Sequence, residues 1–529
     1  MKRLLLTLLL YALPALHAQA GLDPALVGKL ATDDSDAKIA AIQALGASGE
    51  PEAVSLLKAL ANDELLATPD GRVFRMPAEQ ALDAVSGEAL VPQPEEYEPL
   101  SINNRIRAEL SNAIAGLRLL NPDRHVRLVA ARELQTHAGI ELVPILAKAL
   151  ARETDAEIKT LLLFAQAQAN LASPDAAVRL AAVKTLADDA RPYIKGMLLA
   201  LTEAAGEPNA GVRQAALAAV KSIESRLAFG ETLGQLFTGL SLGSILLLAA
   251  LGLAITYGVM GVINMAHGEL LMVGAYATFF TQTLFRAYLP EYLDWYVLAA
   301  IPAAFMAAAL VGMALERTVI RRLYGRPLET LLATWGLSLI LIQAARVLFG
   351  AQNVEVANPA WMSGGVEITA GLLLPWNRIV IVGFTLFVLA LVWLLMQKTR
   401  LGLFVRAVTQ NRPMAGCVGV PTGRVDTLAF GLGAGIAGLG GVALSQIANV
   451  GPDMGQGYIV DSFLVVVLGG VGQLAGAVWA ALGLGVVTKF MEGWWGAVIA
   501  KIVVLVIVIV FIQKRPQGLF ALKGRFVEN

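Results

Sequence analysis

Three side chains able to do chemistry, Asn264, His267 and Glu269, stand inside the apolar stretch GVMGVINMAHGELLMVGAY, with Gly258, Gly261, Gly268 and Gly274 around them. Polar groups in such surroundings are costly and face a cavity or a partner. Two uses are open to them. As an acid–base pair, His267 and Glu269 would serve a hydrolysis, but no nucleophile is fixed beside them, so no catalytic residue is assigned. As the lining of a path, a helix interrupted at glycines offers backbone donors and acceptors that replace water around a small polar solute. The plain alternative is that each side chain only hydrogen-bonds neighbouring helices. A second interruption, Gly469-Gly470-Val471-Gly472-Gln473, falls in the other part of the same apolar region. Paired breaks are the sequence pointer to a translocation path. The expected path residues are therefore Asn264, His267, Gly268, Glu269, Gly469, Gly470, Gly472 and Gln473.

One cysteine, Cys417, and four histidines argue against a metal centre and an intrachain disulfide framework. The 41 basic residues balance 41 acidic ones, which excludes a strongly basic nucleic-acid binder. The chain is 56% hydrophobic and 16% charged over 529 residues. A soluble domain is roughly 45–50% apolar and about 25% charged. The average hides two regions: 51 charged residues fall in 1–228 and 31 in 229–529. The sequence thus describes a soluble extension, 21–228, ahead of a membrane region, 229–529, with 1–20 belonging to neither.

In that leader, Lys2 and Arg3 precede LLLTLLLYALPAL, and Ala18-Gln19-Ala20 forms a small-x-small cleavage site. The expectation is a secretory signal peptide, with an uncleaved short anchor as the alternative. Either places the extension outside the cytoplasm. Within it, Asp/Asn-x-x-apolar-basic-x-x-Ala recurs at Asp34, Asp123, Asp175 and Asn209, 89, 52 and 34 residues apart. The Asp or Asn caps a helix, and second helices such as ELVPILAKAL lie between copies. Paired helices at this period predict an α-solenoid of HEAT-like repeats. Residues 66–100, with five prolines around an acidic EEYE, break the array and are expected to be a long loop or an insertion. The extension is either a docking surface or a folding module; His125 and His137 are isolated in it.

Apolar segments of about 20 residues, enough to span, occur near 236–258, 262–285, 295–315, 330–349, 378–397, 427–447, 462–491 and 495–513. Thirteen of the eighteen basic residues of this region lie in 316–328, 398–426 and the tail, which should be cytoplasmic. Two full spans after 447 would leave the basic tail outside. A re-entrant helix broken at Gly469–Gln473 restores the parity and puts Trp494 and Trp495 in the external belt. The predicted fold is all-α: about eight spans plus a re-entrant broken helix, behind the solenoid.

These residues carry a resemblance. Asn264 to Glu269, Glu316-Arg317 with Arg326-Pro327, Thr334-Trp335-Gly336-Leu337-Ser338, Arg406-Ala407 through Asn411, Ala415, Gly419-Val420 and VLGGVGQLAGAVWAALGLG follow family order over about 300 residues. The region resembles permease subunits of the ABC importers for branched-chain amino acids, urea and short amides. The extension is similar to that of the urea-transporting members, and the resemblance makes urea the leading solute, with branched-chain amino acids or short-chain amides as the alternative. It further implies that 402–424 is a coupling segment docking on an ATPase, with Arg406, Asn411, Met414, Ala415 and Gly419 carried over by position. Two ABC ATPase subunits, a second homologous permease and a periplasmic solute-binding protein are the implied partners. No GxxxxGK[ST] occurs in the chain, so ATP and Mg belong to the ATPase subunits and this chain carries no cofactor. The expected location is the bacterial inner membrane, with the extension in the periplasm, a platform for the binding protein in the alternative reading, and the C-terminus in the cytoplasm.

Overall fold

The computed structural model describes residues 22–48, 51–76, 80–94, 96–135, 138–369 and 372–520. The expected signal peptide, His137, Lys523 and Arg525 lie outside the described residues. Two compact units are formed, Met1–Leu227 and Ala228–Asn529, each with its own core.

In the first unit, α1 (Pro24–Lys29), α2 (Ser35–Ser48) and α3 (Pro51–Ala61) precede a small antiparallel sheet. Its strands, β1 (Leu65–Ala67), β2 (Val73–Arg75), β3 (Leu82–Asp83) and β4 (Glu98–Pro99), take the order β3-β2-β1-β4. Strands of two or three residues leave no alternation to read, which is why the sequence suggested only a loop or insertion. The chain then continues as α4 (Asn104–Arg118), α5 (Arg124–Leu134), α6 (Val143–Arg152), α7 (Ala156–Asn170), α8 (Ala176–Leu186) and α9 (Pro192–Ala200).

The helices of this stretch recur in threes, where the sequence suggested pairs. Asn103 and Asp155 cap α4 and α7, and both helices have 15 residues; Asp123 and Asp175 cap α5 and α8, and both have 11. Helices α6 and α9 both carry proline in their first turn. Asn103 to Asp155 and Asp123 to Asp175 are each 52 residues (155 − 103 and 175 − 123), so the repeating unit is three helices. The copies at Asn103 and Asp155 escaped the motif because Leu110 and Leu162 stand where it required alanine.

The basic position of the motif ties copies together. Arg127 donates to the carbonyls of Asn121 and Pro122 (3.0 and 2.8 Å) and to Glu153 at 2.8 Å. Arg179 donates to Ser173 and Pro174 carbonyls (2.8 and 3.0 Å) and to Glu207 at 2.7 Å. Each glutamate also accepts the backbone N–H of the next cap, Asp155 or Asn209. The side chains of Arg179 and Glu207 are 12% and 1% exposed, so neither charge is left to water. The guanidinium hydrogen bond holds the Glu207 carboxyl below its usual range, as Arg127 does for Glu153.

The second unit takes α10 (Ala210–Met260) from Ala228 onward, then α11 (His267–Tyr288), α12 (Tyr296–Thr318) and α13 (Pro327–Phe349). A hairpin of β5 (Gly365–Thr369) and β6 (Leu372–Pro375) leads to α14 (Trp376–Lys398), α15 (Arg400–Gln410), α16 (Arg412–Cys417), α17 (Thr422–Ser445), α18 (Met454–Gly469) and α19 (Leu474–Lys514). Among the described residues, six helices are long and apolar enough to cross a membrane; α11 is not among them and α18 has only 16 residues. Helix α19 is broken at Gly496, whose φ of 79° ends one segment and starts another. Its pieces, 474–495 and 497–514, are each near the roughly 20 residues a span needs.

Helix α17 sits at the centre, packed against α10, α11 and α12, and its GLGAGIAGLGG run makes that possible. A Cβ on Gly441 would lie 2.1 Å from the Leu271 carbonyl of α11, and one on Gly438 would lie 2.7 Å from the Ala304 carbonyl of α12. Hydrogen at these positions lets the backbones touch.

Two differences from the sequence reading have one cause. The span expected at 262–285 starts as a helix only at His267, and the broken helix expected from about 462 starts at Met454. In both, polar residues sit inside the membrane region, and an apolar window misplaces its edge around them.

Replacing Glu207 by Gln removes one member of a buried pair and should cost on the order of 3 kcal/mol in local stability. Because the native pKa is lowered, the wild-type contribution is complete above the unfolded carboxyl value of 4.5 and is lost as pH falls through the native one. Hydrogen exchange of α8 and α9 in the whole protein should therefore be faster in Glu207→Gln at pH 7, and the two proteins should converge below that window.

Candidate functional site

Helix α10 stops because Gly261 adopts φ 65°, and residues 261–266 run without helical structure before α11 opens at His267. This non-helical turn is held from several sides. Asn264 Oδ1 accepts the Ala266 N–H at 3.1 Å, and Thr334 Oγ1 of α13 accepts the Met265 N–H at 3.1 Å. His267 Nε2 lies 3.0 Å from the Ala249 carbonyl of α10, which fixes it as the donor nitrogen.

Glu269 is in the first turn of α11 and 1% exposed. Ser338 Oγ of α13 donates to its Oε1 at 2.6 Å. Its Oε2 faces the opening turn of α18: a Cβ on Gly455 would be 2.1 Å from that oxygen and 2.4 Å from the Gly268 carbonyl. The carboxyl thus lies at the N-terminal ends of two helices, where partial positive charge favours an anion. Asn264 Nδ2, His267 Nδ1 and Glu269 Oε2 have no hydrogen-bond partner. One donor and two acceptors are left over in a buried place, the inventory for holding or orienting a small polar group. Asn264, His267, Gly268 and Glu269 are therefore brought together, with Thr334, Ser338 and Gly455 as members the sequence reading did not assign to the site.

The second break is elsewhere. Gly470 and Gly472 take φ of 99° and 76°, reversing the chain between α18 and α19. The Leu519 and Phe520 N–H groups donate to the carbonyls of Leu468 and Gly469 at 2.8 and 3.3 Å, so the tail caps the end of α18. Gly469, Gly470, Gly472 and Gln473 thus gather with the tail and with the end of α10, where a Cβ on Gly258 would be 3.3 Å from Gly472 Cα. A cavity of about 600 Å³ opens there, lined by Gly258, Gln397, Arg406, Gln410, Gly472 and Gln473. The two breaks are not one site; α10 and α18 connect them.

The expected coupling segment is two helices rather than one. Asn411 ends α15 and caps α16 by accepting the Met414 N–H at 3.0 Å. Arg406 donates to Gln397 at 2.8 Å, Ala415 is buried, and Gly419 turns the chain at φ 87°. Met414 and Val418 are 60% and 71% exposed, an apolar tip facing outward. The segment is fastened by charges. Arg412 bonds Asp426 of α17 and the Tyr324 hydroxyl, and its guanidinium lies 4.2 Å over the Tyr324 ring. Arg321 bonds Glu316 of α12 at 3.0 Å and Thr427 of α17 at 2.7 Å. This clamp was invisible in the sequence, since its members are separated by up to 111 residues (427 − 316).

Residues 235–512 match the protein family described as branched-chain amino acid transport system / permease component. The chain is 30% identical over 293 residues to the high-affinity branched-chain amino acid transport system permease protein BraD of Pseudomonas aeruginosa, covering 54% of this chain and 95% of that protein. It is 29% identical to the permease protein LivH of Escherichia coli K12, covering 54% and 94%. The probable LivH of Methanocaldococcus jannaschii is 26% identical, covering 52% and 88%. No solved structure matches.

Because the opening turns of α11 and α18 meet at bare backbone, Gly455→Ala should overpack the contact at a cost of about 1–3 kcal/mol. Its thermal midpoint should drop by several degrees, whereas Gly383→Ala, whose Cβ meets nothing within 4 Å, should leave the midpoint unchanged.

Proposed function

The chain belongs to the family of branched-chain amino acid transport permease components, and we propose that it forms one membrane half of an ATP-driven importer for branched-chain amino acids. The observation that carries this reading is the near-complete coverage of permeases named for those solutes, 95% and 94% of their lengths. Urea, which the sequence reading put first, becomes the second reading. It draws on the unit Met1–Leu227, which lies outside the matched residues 235–512 and was the feature that pointed to urea.

The topology follows from charge. Arg317, Arg321, Arg322 and Arg326 after α12, the basic residues of 398–424, and Lys514 with Arg515 mark the cytoplasmic ends. Exposed aromatics mark the opposite ends: Tyr288, Tyr292 and Trp295 around the α11–α12 turn, Trp361 and Trp376 before α14, and Trp494 and Trp495 at the α19 break. On this assignment α18 descends from the outer side and turns at Gly470 beside the cytoplasmic tail, so the glycine turn reaches that end instead of halting mid-membrane. The unit at residues 21–228 is then periplasmic, follows a signal peptide, and serves as a helical-repeat docking platform for the solute-binding protein.

The mechanism uses this chain's own contacts. Two ATPase subunits, holding ATP and Mg, receive the apolar tip of Met414 and Val418. Their closure displaces α15 and α16, and Arg406, Asn411, Ala415 and Gly419 keep that segment in shape. The Arg412–Asp426 and Arg321–Glu316–Thr427 contacts pass the displacement to α17 and α12. Helix α17 touches the α11 backbone at Gly441 and cannot slide without moving α11. Asn264, His267, Gly268 and Glu269 hold α18 from its buried side so that its other face borders the solute path, and Gly469, Gly470, Gly472 and Gln473 border the cytoplasmic end of that path. The second homologous permease supplies the opposite wall.

Deleting the chain should abolish high-affinity uptake of labelled leucine that excess urea does not inhibit. Loss of urea uptake with leucine uptake intact would instead establish the urea reading.

A further inference from the structure

Helix α18 has two unlike faces. One is buried and presents Gly455 to Glu269. The other carries Asp453, Gln456, Gly457 and Val460, all exposed, and then Asp461. The spacing of three and four residues puts these on one side of the helix. A Cβ on Gly457 would meet nothing within 4 Å. The stripe begins at an ion pair, Arg346 of α13 with Asp453 at 2.8 Å, and ends at another, Lys501 of α19 with Asp461 at 3.6 Å.

The second pair is the unusual one. Lys501 lies in AVIAKIVVLVIVIVF, five residues past the Gly496 break and thirteen before Lys514 (501 − 496 and 514 − 501). At about 1.5 Å per residue that is some 7 Å and 20 Å from the two ends. The lysine is directed at Asp461 of the neighbouring helix. Yet the Lys501 side chain is 60% exposed and that of Asp461 is 27% exposed. A polar stripe ending in an exposed lysine and a partly buried aspartate is a poor surface for lipid, since intramembrane charges face a cavity or a partner. At 3.6 Å the pair is also loose, leaving both groups free to take further partners.

We propose that this face of α18, with Lys501, lines the solute path between this chain and the second permease subunit, Lys501 receiving the carboxylate and Asp461 the ammonium group of an amino-acid zwitterion. The assignment rests on the amino-acid importer reading above. It gives opposite charges a use that a neutral amide does not require. Gln456 and the bare backbone at Gly457 continue the track toward Asp453 and Arg346. Specificity for a zwitterion would then be sensed in the membrane as well as by the binding protein.

The test uses the assembled importer in proteoliposomes with Cys417→Ser and Gly457→Cys, after leucine import has shown the variant to be active; Gln456→Cys replaces it if it is not. A charged, membrane-impermeant thiosulfonate should label the new cysteine, and leucine with its binding protein should slow labelling several-fold. Lys501→Met should lower leucine import about tenfold, the loss of one charge-assisted contact, and Lys501→Arg should restore most of it. Labelling by N-ethylmaleimide alone would put the face in lipid, and labelling by neither reagent would put it in a dry interface; either overturns the proposal. Labelling that no solute slows overturns the path while leaving the importer reading intact. Protection by urea and not leucine overturns the zwitterion assignment together with that reading.

Discussion

A carboxylate buried among membrane helices must be compensated from close by, and in this protein the compensation of Glu269 organises what surrounds it. The side chain accepts a hydrogen bond from the Ser338 hydroxyl and lies in the first turn of α11, against the first turn of α18. None of this is compatible with α10 and α11 being continuous, because α11 must begin at His267 for its N-terminal end to be there. Gly261 makes the break, and Asn264 and Thr334 hold the non-helical chain that follows. Gly268 and Gly455 then have to be bare for the two helix starts to meet. The same contact sets where α18 begins, and so which of its faces is turned outward.

On the proposed coupling role of α15 and α16, movement would enter this arrangement from the other end. The α15–α16 segment is tied by Arg412 to α17, and α17 is tied by Arg321 and Glu316 to α12. These are charge-assisted contacts with directional geometry, stiffer than apolar packing of equal area. Beyond them the transmission is steric. Where Gly441 and Gly438 place backbone on backbone, there is no side-chain layer to absorb a shift. On the reading proposed above, a displacement of the loop would therefore arrive at α11 and at the Glu269 contact with little loss.

Much of this was legible in the residues. Apolar runs located the six described helices long and apolar enough to span, though not their expected number, and the glycines around Asn264 and Gly470 located both breaks. What failed was anything set by partners distant in sequence. Ser338 and Gly455 look ordinary until Glu269 is placed between them. Leu110 and Leu162 concealed two repeat copies because the core there accepts a larger side chain than the motif allowed. Asp461 and Gln456 moved the expected start of α18, and the same residues turned out to form its polar face. The choice of solute is a different matter: urea rested mainly on the unit ahead of the permease, with Thr334-Trp335, and is not shown, whereas the permease region covers relatives named for branched-chain amino acids.

Glu269, Ser338 and the start of α18 should act as one unit during import. A double-mutant cycle of Glu269→Gln and Ser338→Ala, read as leucine import by the assembled transporter, measures that coupling. Each single change should lower import, and the double variant should be no worse than the more severe single. Strictly additive losses, or a Glu269→Gln protein that imports leucine normally, would contradict it.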